Sequence, residues 1–343
     1  MIELQHDRLV FSFPEVCPAA VLWVEFRRAL RVPDDGQDHP LPPSRERFPL
    51  RHVDDYAARV PAAWRAHGGV MLPMYQAEAL WIAFDSAEDN YRGVCYPFAV
   101  KVATGKINAV SGTAWSTGLR QHPQDYVVVP RQPWLDGYCV ANGSVRQFVA
   151  MPLGMGATAE EQLTGEAAYG GLQIEAFPMK RHVFERRFPM RVCHLRQSIE
   201  VCFCEQANHL HLLEAGLGPG GRMRQKIYAD PYALKDWDLE HSSRCFVHIA
   251  NSMVWRQVTG ENPPIKPPTA QKYAQAGLPW FLWYDEQHAS LAGADKLAGL
   301  QSVAGPAQAG HIEAPAKNQG ATPERVIAIG PGLPGKRVRE PKG

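Results

Sequence analysis

The chain has 343 residues, a formal net charge of +1, and 45% hydrophobic and 21% charged residues. This length suffices for one large domain or two ordinary ones, and the composition is typical of a folded protein. The near-neutral charge excludes a strong overall attraction to nucleic acid or to an anionic membrane. Since the sequence shows neither a signal peptide nor an apolar run approaching the roughly 18 residues of a membrane span, we expect a cytoplasmic protein. Its seven cysteines are then expected as free thiols or metal ligands.

Strand-forming segments dominate the chain. Apolar and β-branched residues predict strands at residues 9–13, 21–32, 80–84, 98–102, 106–110, 125–130, 138–141, 145–151, 172–177, 199–205, 209–213, 224–228 and 245–250. Their short connections, rich in Gly, Pro or Asn, favour antiparallel pairing because parallel strands need long crossovers. The predicted fold is therefore mainly β, with α+β as the alternative: a large antiparallel, sandwich- or barrel-like sheet core with a few peripheral helices.

Helices are predicted at few places. Residues 53–66 carry apolar side chains at helical spacing, and residues 287–304 do so through Leu291, Leu297 and Val303. We expect one globular domain over residues 1–286, and a division into two subdomains near the Pro-rich loop 33–49 stays open. Residues 305–343 are Ala-, Gly- and Pro-rich, so this tail, which has a basic end, is predicted to be disordered.

Residues 132–178 hold the densest local motifs. Asn142-Gly143 predicts a hairpin turn, since both residues tolerate positive φ. A Gly-x-Gly-x-x-Ala run beginning at Gly154 fits the loose dinucleotide fingerprint. However, the helix that follows must end by Gly165, which is too short for a βαβ crossover, and two glutamates at its start place negative charge where a pyrophosphate would lie. We therefore reject a dinucleotide site.

Four polar residues in or beside apolar segments are the candidate catalytic groups: Asp136, Arg146, Glu166 and His248. Burial shifts the pKa of such groups, as catalysis often requires. Neither a Gly-x-Ser-x-Gly elbow nor a His-Glu-x-x-His motif accompanies them. They indicate a hydrolase-type enzyme only if the fold brings them together.

Cys202, Cys204, His209 and His211 form the candidate metal site. If residues 205–208 form the turn of a hairpin, Cys204 faces His209 and Cys202 faces His211, and all four lie on one side. Two cysteines and two histidines suit tetrahedral Zn²⁺, although this spacing differs from that of zinc fingers. Zinc is therefore a possible cofactor, and an ordinary half-exposed strand surface is the alternative.

Two basic groups could meet an anionic partner. Lys180, Arg181, Arg186, Arg187, Arg191 and Arg196 form one, and Arg222, Arg224 and Lys226 form the other. Nearby acids and the neutral overall charge argue against nucleic acid, so solvent-exposed faces are the preferred interpretation.

Two functions stay open. A non-enzymatic, β-rich binding or assembly protein, with a protein or small-molecule partner, agrees with the 10% aromatic content and the missing catalytic motifs. The alternative is a hydrolase-type enzyme that uses acidic residues with Arg and His around residues 132–178. We expect no membrane partner, and homo-oligomer formation stays open.

Overall fold

The computed structural model describes residues 1–42, 46–190, 214–264, 280–283, 288–304 and 326–329. The protein is mainly β, with 40% strand and 15% helix, and this confirms the predicted fold class. No helix in the described ranges is long and apolar enough to cross a membrane.

The strands follow one another at short intervals. In chain order they are β1 (Ile2–Gln5), β2 (Arg8–Ser12), β3 (Val21–Ala29), β4 (Arg51–His52), β5 (Val70–Pro73), β6 (Ala79–Ser86), β7 (Glu88–Asp89), β8 (Val94–Cys95), β9 (Phe98–Thr104), β10 (Ile107–Asn108), β11 (Val127–Val129), β12 (Trp134–Leu135), β13 (Gly137–Ala141), β14 (Ser144–Pro152), β15 (Leu172–Pro178), β16 (Glu214–Arg224), β17 (Ser243–Ala250), β18 (Trp280–Trp283) and β19 (Val326–Ile329).

Fifteen of these strands form one sheet whose main path runs β1-β2-β3-β6-β14-β16-β17-β15-β9-β10. Its pairings are antiparallel except that of β17 with β5. The two ends of the path are not neighbours, so the sheet is open rather than closed. The predicted hairpin at Asn142-Gly143 joins β13 to β14, and Gly143 has a φ of 76°.

The sheet bends around one main core. β16 links its two halves, because its first two residues pair with β17 and most of its length pairs with β14. Side chains from both halves, such as Phe26 of β3 and Val100 of β9, belong to the same buried cluster. Burial of this apolar surface is the main stabilising contribution.

Within the described ranges, five short α-helices lie around the sheet: α1 (Ala62–His67), α2 (Ala159–Thr164), α3 (Arg181–Arg187), α4 (Ser252–Thr259) and α5 (Asp295–Ala298). Trp64 of α1 and Trp255 of α4 pack with Met71 of β5 in a second, smaller core. The Asn251 side chain accepts hydrogen bonds from the Met253 and Val254 amides and so begins α4.

Two predicted helices are shorter than expected. Residues 53–66 form a 3-10 turn at Asp54–Tyr56 and then α1, because Pro61 lacks an N–H and disfavours helical backbone in the residue before it. Within residues 288–304, α5 is a four-residue helix and Ala304 is the other α-helical residue. The Ala294 amide donates to the Cys139 carbonyl, and Gly293 packs against Ala141 too closely for a side chain.

Several predicted segments lie largely outside the described residues. They are the strands at 199–205 and 209–213 and most of the tail at 305–343. Within the tail, β19 pairs in parallel with β18. Disorder of the rest of the tail stays a prediction.

Candidate ligand-binding cleft

A cleft of about 470 Å³ opens beside β8 and β11. The rings of Phe188, Tyr228 and Tyr232 line it, and Cys95 and Arg131 are among its polar residues. Sites for small molecules are typically concave, mostly apolar and of this size, with a few polar groups that orient the ligand.

Regular elements build one side of the cleft. β11 pairs with β9 across Val128 and Ala99, which fixes the backbone that leads to Arg131. Phe188 directly follows the last residue of α3, and its ring centroid lies 5.4 Å from that of Phe184 one turn earlier. Phe184 is fully buried, so it anchors the helix end that presents Phe188.

Irregular backbone forms the opposite side, and two buried glutamines hold it. The Gln132 side chain accepts a hydrogen bond from the Tyr228 amide (3.1 Å) and donates to the Lys226 carbonyl (3.3 Å). Gln124 accepts from the Asp230 amide (2.8 Å) and donates to the Tyr228 carbonyl (3.2 Å). These side-chain amides add to the backbone hydrogen bonds that this segment makes with residues 289–291.

Asp230 fixes the position of Tyr232. One carboxylate oxygen accepts from the Tyr232 amide (2.8 Å). The other accepts from the Tyr126 hydroxyl (2.5 Å) and the Trp237 indole (2.9 Å). The Tyr232 ring packs edge-on against Trp237 with 5.5 Å between the ring centroids. The aromatic side of the cleft is therefore held in place before any ligand binds.

Two arginines lie near Tyr232. The guanidinium carbon of Arg187 is 5.1 Å from the centre of the Tyr232 ring, and its Nη2 is 2.7 Å from Asp236 Oδ2. Burial raises the pKa of the Tyr232 phenol, and the charges of Arg131 and Arg187 oppose that rise. The positive charge of Arg131 therefore lies close enough to the Tyr232 phenol to affect its pKa.

The thiol of Cys95 is not activated. Burial raises its pKa, and the carboxylates of Asp85 and Glu88 raise it further. A nucleophilic cysteine needs the opposite shift, which nearby positive charge would supply. The cleft therefore offers groups suited to binding, and its thiol is protonated at neutral pH.

The four candidate catalytic residues are not joined to one another. Among the described residues, no hydrogen bond or ion pair connects any two of them, and none lines the cleft. Asp136 is buried beneath the Trp134 indole, which donates to it (2.7 Å). Arg146 Nη1 is 3.9 Å from Asp34 Oδ1, and Glu166 is exposed after α2.

His248 belongs to the second core. Its Nε2 is 3.0 Å from the Gly68 carbonyl oxygen, and its ring stacks on Trp64 with 4.8 Å between centroids. Burial lowers the pKa of His248 to about 4, so the ring is neutral at pH 7. Its packing accounts for its place in an apolar strand.

The glycine-rich loop holds an internal carboxylate. Glu161 accepts hydrogen bonds from the amides of Gly154 (2.6 Å), Gly156 (3.0 Å) and Thr158 (3.1 Å). The backbone donors that a phosphate would need are thus already used by the protein's own side chain. This arrangement supports the rejection of a dinucleotide site.

The candidate zinc ligands Cys202, Cys204, His209 and His211 lie outside the described residues. Within the described ranges, no group of three or more His, Cys, Asp and Glu residues is arranged to hold a metal ion.

One arginine of each predicted basic group forms an ion pair with a nearby aspartate. In the second group, Arg222 Nε is 2.9 Å from Asp38 Oδ1, so the Pro-rich loop partly neutralises it. In the first group, Arg187 pairs with Asp236, and Arg191 and Arg196 lie beyond the described part of the chain.

No protein-family model, curated protein or solved structure matches the chain.

Proposed function

We propose that the protein is a non-enzymatic binding protein whose cleft receives a small molecule with an aromatic body. The observation that carries this proposal is an open cleft of about 470 Å³ lined by three aromatic rings. Aromatic rings that surround a ligand bury much apolar surface and add ring-stacking contacts.

The fixed walls of the cleft favour binding. Gln124, Gln132 and Asp230 hold the 226–232 segment through the hydrogen bonds described above. A preorganised site does not lose the conformational entropy of ordering its side chains when the ligand arrives. A loosely held aromatic surface of the same area would bind more weakly.

The alternative function, a hydrolase, has less support. The Cys95 thiol has a raised pKa, His248 is a core residue, and Glu166 is exposed in a loop. A cytoplasmic location is also part of the proposal, and the free cysteines Cys17, Cys95, Cys139 and Cys245 agree with it.

Filling the cleft tests the proposal. N-phenyl-1-naphthylamine, an uncharged aromatic dye, serves as the probe, and its fluorescence titration gives a Kd. We expect Cys95→Trp to weaken dye binding about tenfold or more, because the added indole occupies volume that would bury the dye.

The matched control is Tyr91→Trp, which places the same residue on the same β7–β8 hairpin but outside the cleft. Tyr91 is 74% exposed, so this variant should bind the dye as the wild type does. Equal affinity of Cys95→Trp and wild type, or no dye binding by the wild type, would refute the proposed function.

A further inference from the structure

Arg131 is half-buried in the cleft, and it makes no hydrogen bond or ion pair in the part of the chain that the structure describes. Other buried arginines have carboxylate partners. Arg92 Nη1 lies 3.0 Å from Asp89 Oδ2, and Arg28 pairs with Glu78 in the core. Arg131 therefore differs from these residues by facing a ligand-sized space instead of an acid.

The acids around the cleft are already engaged or lie elsewhere. Asp236 pairs with Arg187, and both carboxylate oxygens of Asp230 accept hydrogen bonds from the protein. The negative charges of Asp85 and Glu88 lie near the Cys95 thiol and raise its pKa. The cleft is thus electropositive at the Arg131 and Tyr232 side and electronegative at the Cys95 side.

A partly desolvated cation without a counter-charge is unfavourable, and an anionic ligand would offset that cost. Guanidinium presents a planar set of donors that matches the two oxygens of a carboxylate, sulfonate or phosphate group. A cationic ligand would meet repulsion from Arg131, and a neutral one would leave its donors unpaired.

We infer that the ligand of the cleft is an aromatic molecule with one anionic group, which binds the Arg131 guanidinium while its rings contact Tyr228, Tyr232 and Phe188. This inference rests on the proposed function, because it specifies the charge of a ligand for the same cleft. The anionic group lies at the Tyr232 side, away from Cys95.

Two dyes that differ by one charge test the inference. 1-Anilinonaphthalene-8-sulfonate carries a sulfonate on the ring system of N-phenyl-1-naphthylamine. We expect Arg131→Gln to weaken sulfonate-dye binding about tenfold, as for loss of a charge-assisted hydrogen bond, and to leave the uncharged dye unchanged. The control is Arg186→Gln, which removes an exposed arginine of α3 and should affect neither dye.

A wild-type measurement keeps the test independent of how well the variant folds. Sulfonate-dye binding should weaken as NaCl rises from 0.05 to about 0.5 M, since salt screens the ion pair, and binding of the uncharged dye should not weaken. Equal effects of Arg131→Gln and Arg186→Gln, or the same salt response for both dyes, would overturn the inference. Uncharged-dye binding that Cys95→Trp blocks would then still support the proposed function, whereas failure of both dyes to bind would remove both.

Discussion

Asp125→Ala is expected to lower the free energy of unfolding by about 3–5 kcal/mol, because it leaves a buried ammonium group without its counter-charge. Lys101 and Asp125 are both almost completely buried, and Lys101 Nζ is 2.9 Å from Asp125 Oδ2. The same ammonium donates to the carbonyls of Ser116 and Gly118, each at 2.7 Å. The pair therefore joins β9 to the loop that follows β10.

Urea denaturation at pH 7 measures this effect, and Glu185→Ala is the control. Glu185 pairs with Arg181 at 2.8 Å, but both side chains are largely exposed, so its loss should leave the unfolding midpoint nearly unchanged. Removing both charges in Lys101→Met with Asp125→Leu should recover part of the lost stability, because the buried ammonium group is then absent as well. A cost below about 1 kcal/mol for Asp125→Ala would show that the pair is exposed to water in solution.

The second large effect concerns Asp136 and depends on pH. Burial raises the pKa of Asp136 to about 7, although the hydrogen bond from the Trp134 indole opposes the shift. The folded protein therefore keeps a proton that the unfolded chain, with an ordinary pKa near 4, has already released. Stability should fall as pH rises from about 4 to about 7 and should change little above that range.

Asp136→Asn removes this dependence because an amide does not titrate. Relative to the wild type, the variant should gain stability between pH 4.5 and pH 8, with a total change on the order of 3 kcal/mol. Urea midpoints at both pH values measure the gain, and Asp55→Asn, which alters an exposed carboxylate, is the control. If the difference between variant and wild type were the same at both pH values, Asp136 would not be a buried, protonated group.

Local patterns predicted much of the fold. Strands of alternating or β-branched residues and the Asn142-Gly143 turn depend on neighbours in sequence, and the structure has most of them where expected. The predicted strand at 224–228 is wrong beyond Arg224, because the backbone that follows bonds to the side chains of Gln132 and Gln124 and to residues 289–291. The predicted continuous helix over residues 53–66 is wrong because Pro61, which lacks an N–H, separates the 3-10 turn from α1. The helix over 287–304 was overestimated because the tertiary hydrogen bond of Ala294 cannot be inferred from periodicity.

The sequence did not predict the cleft, because its lining residues are far apart in the chain. Its residues come from β8, the end of β11, the residue after α3, the 228–232 segment and His288, and only the folded chain brings these together. No short motif marks such a site. The sequence did contain one indication, since Gln124 and Gln132 lie beside apolar strand residues, but glutamine is usually exposed and its burial here follows from tertiary hydrogen bonds.

The candidate catalytic residues are polar groups in apolar segments, a placement that often indicates a functional site. For Asp136 and His248 burial is confirmed, and both pKa values are shifted, yet neither group lines the cleft. Their shifted pKa values thus follow from burial in the core and do not mark the cleft.

The central claim, that an aromatic molecule occupies the cleft, is tested most directly by protection of the Cys95 thiol. Cys95 is the half-buried thiol of the cleft, whereas Cys17, Cys139 and Cys245 are buried. Its alkylation by iodoacetamide can be followed by peptide mass spectrometry with and without N-phenyl-1-naphthylamine at about ten times its Kd. Since roughly nine-tenths of the clefts are then occupied, the Cys95 rate should fall to about one-tenth of its free value. An unchanged Cys95 rate at saturating dye would mean that the dye binds elsewhere and would contradict the claim.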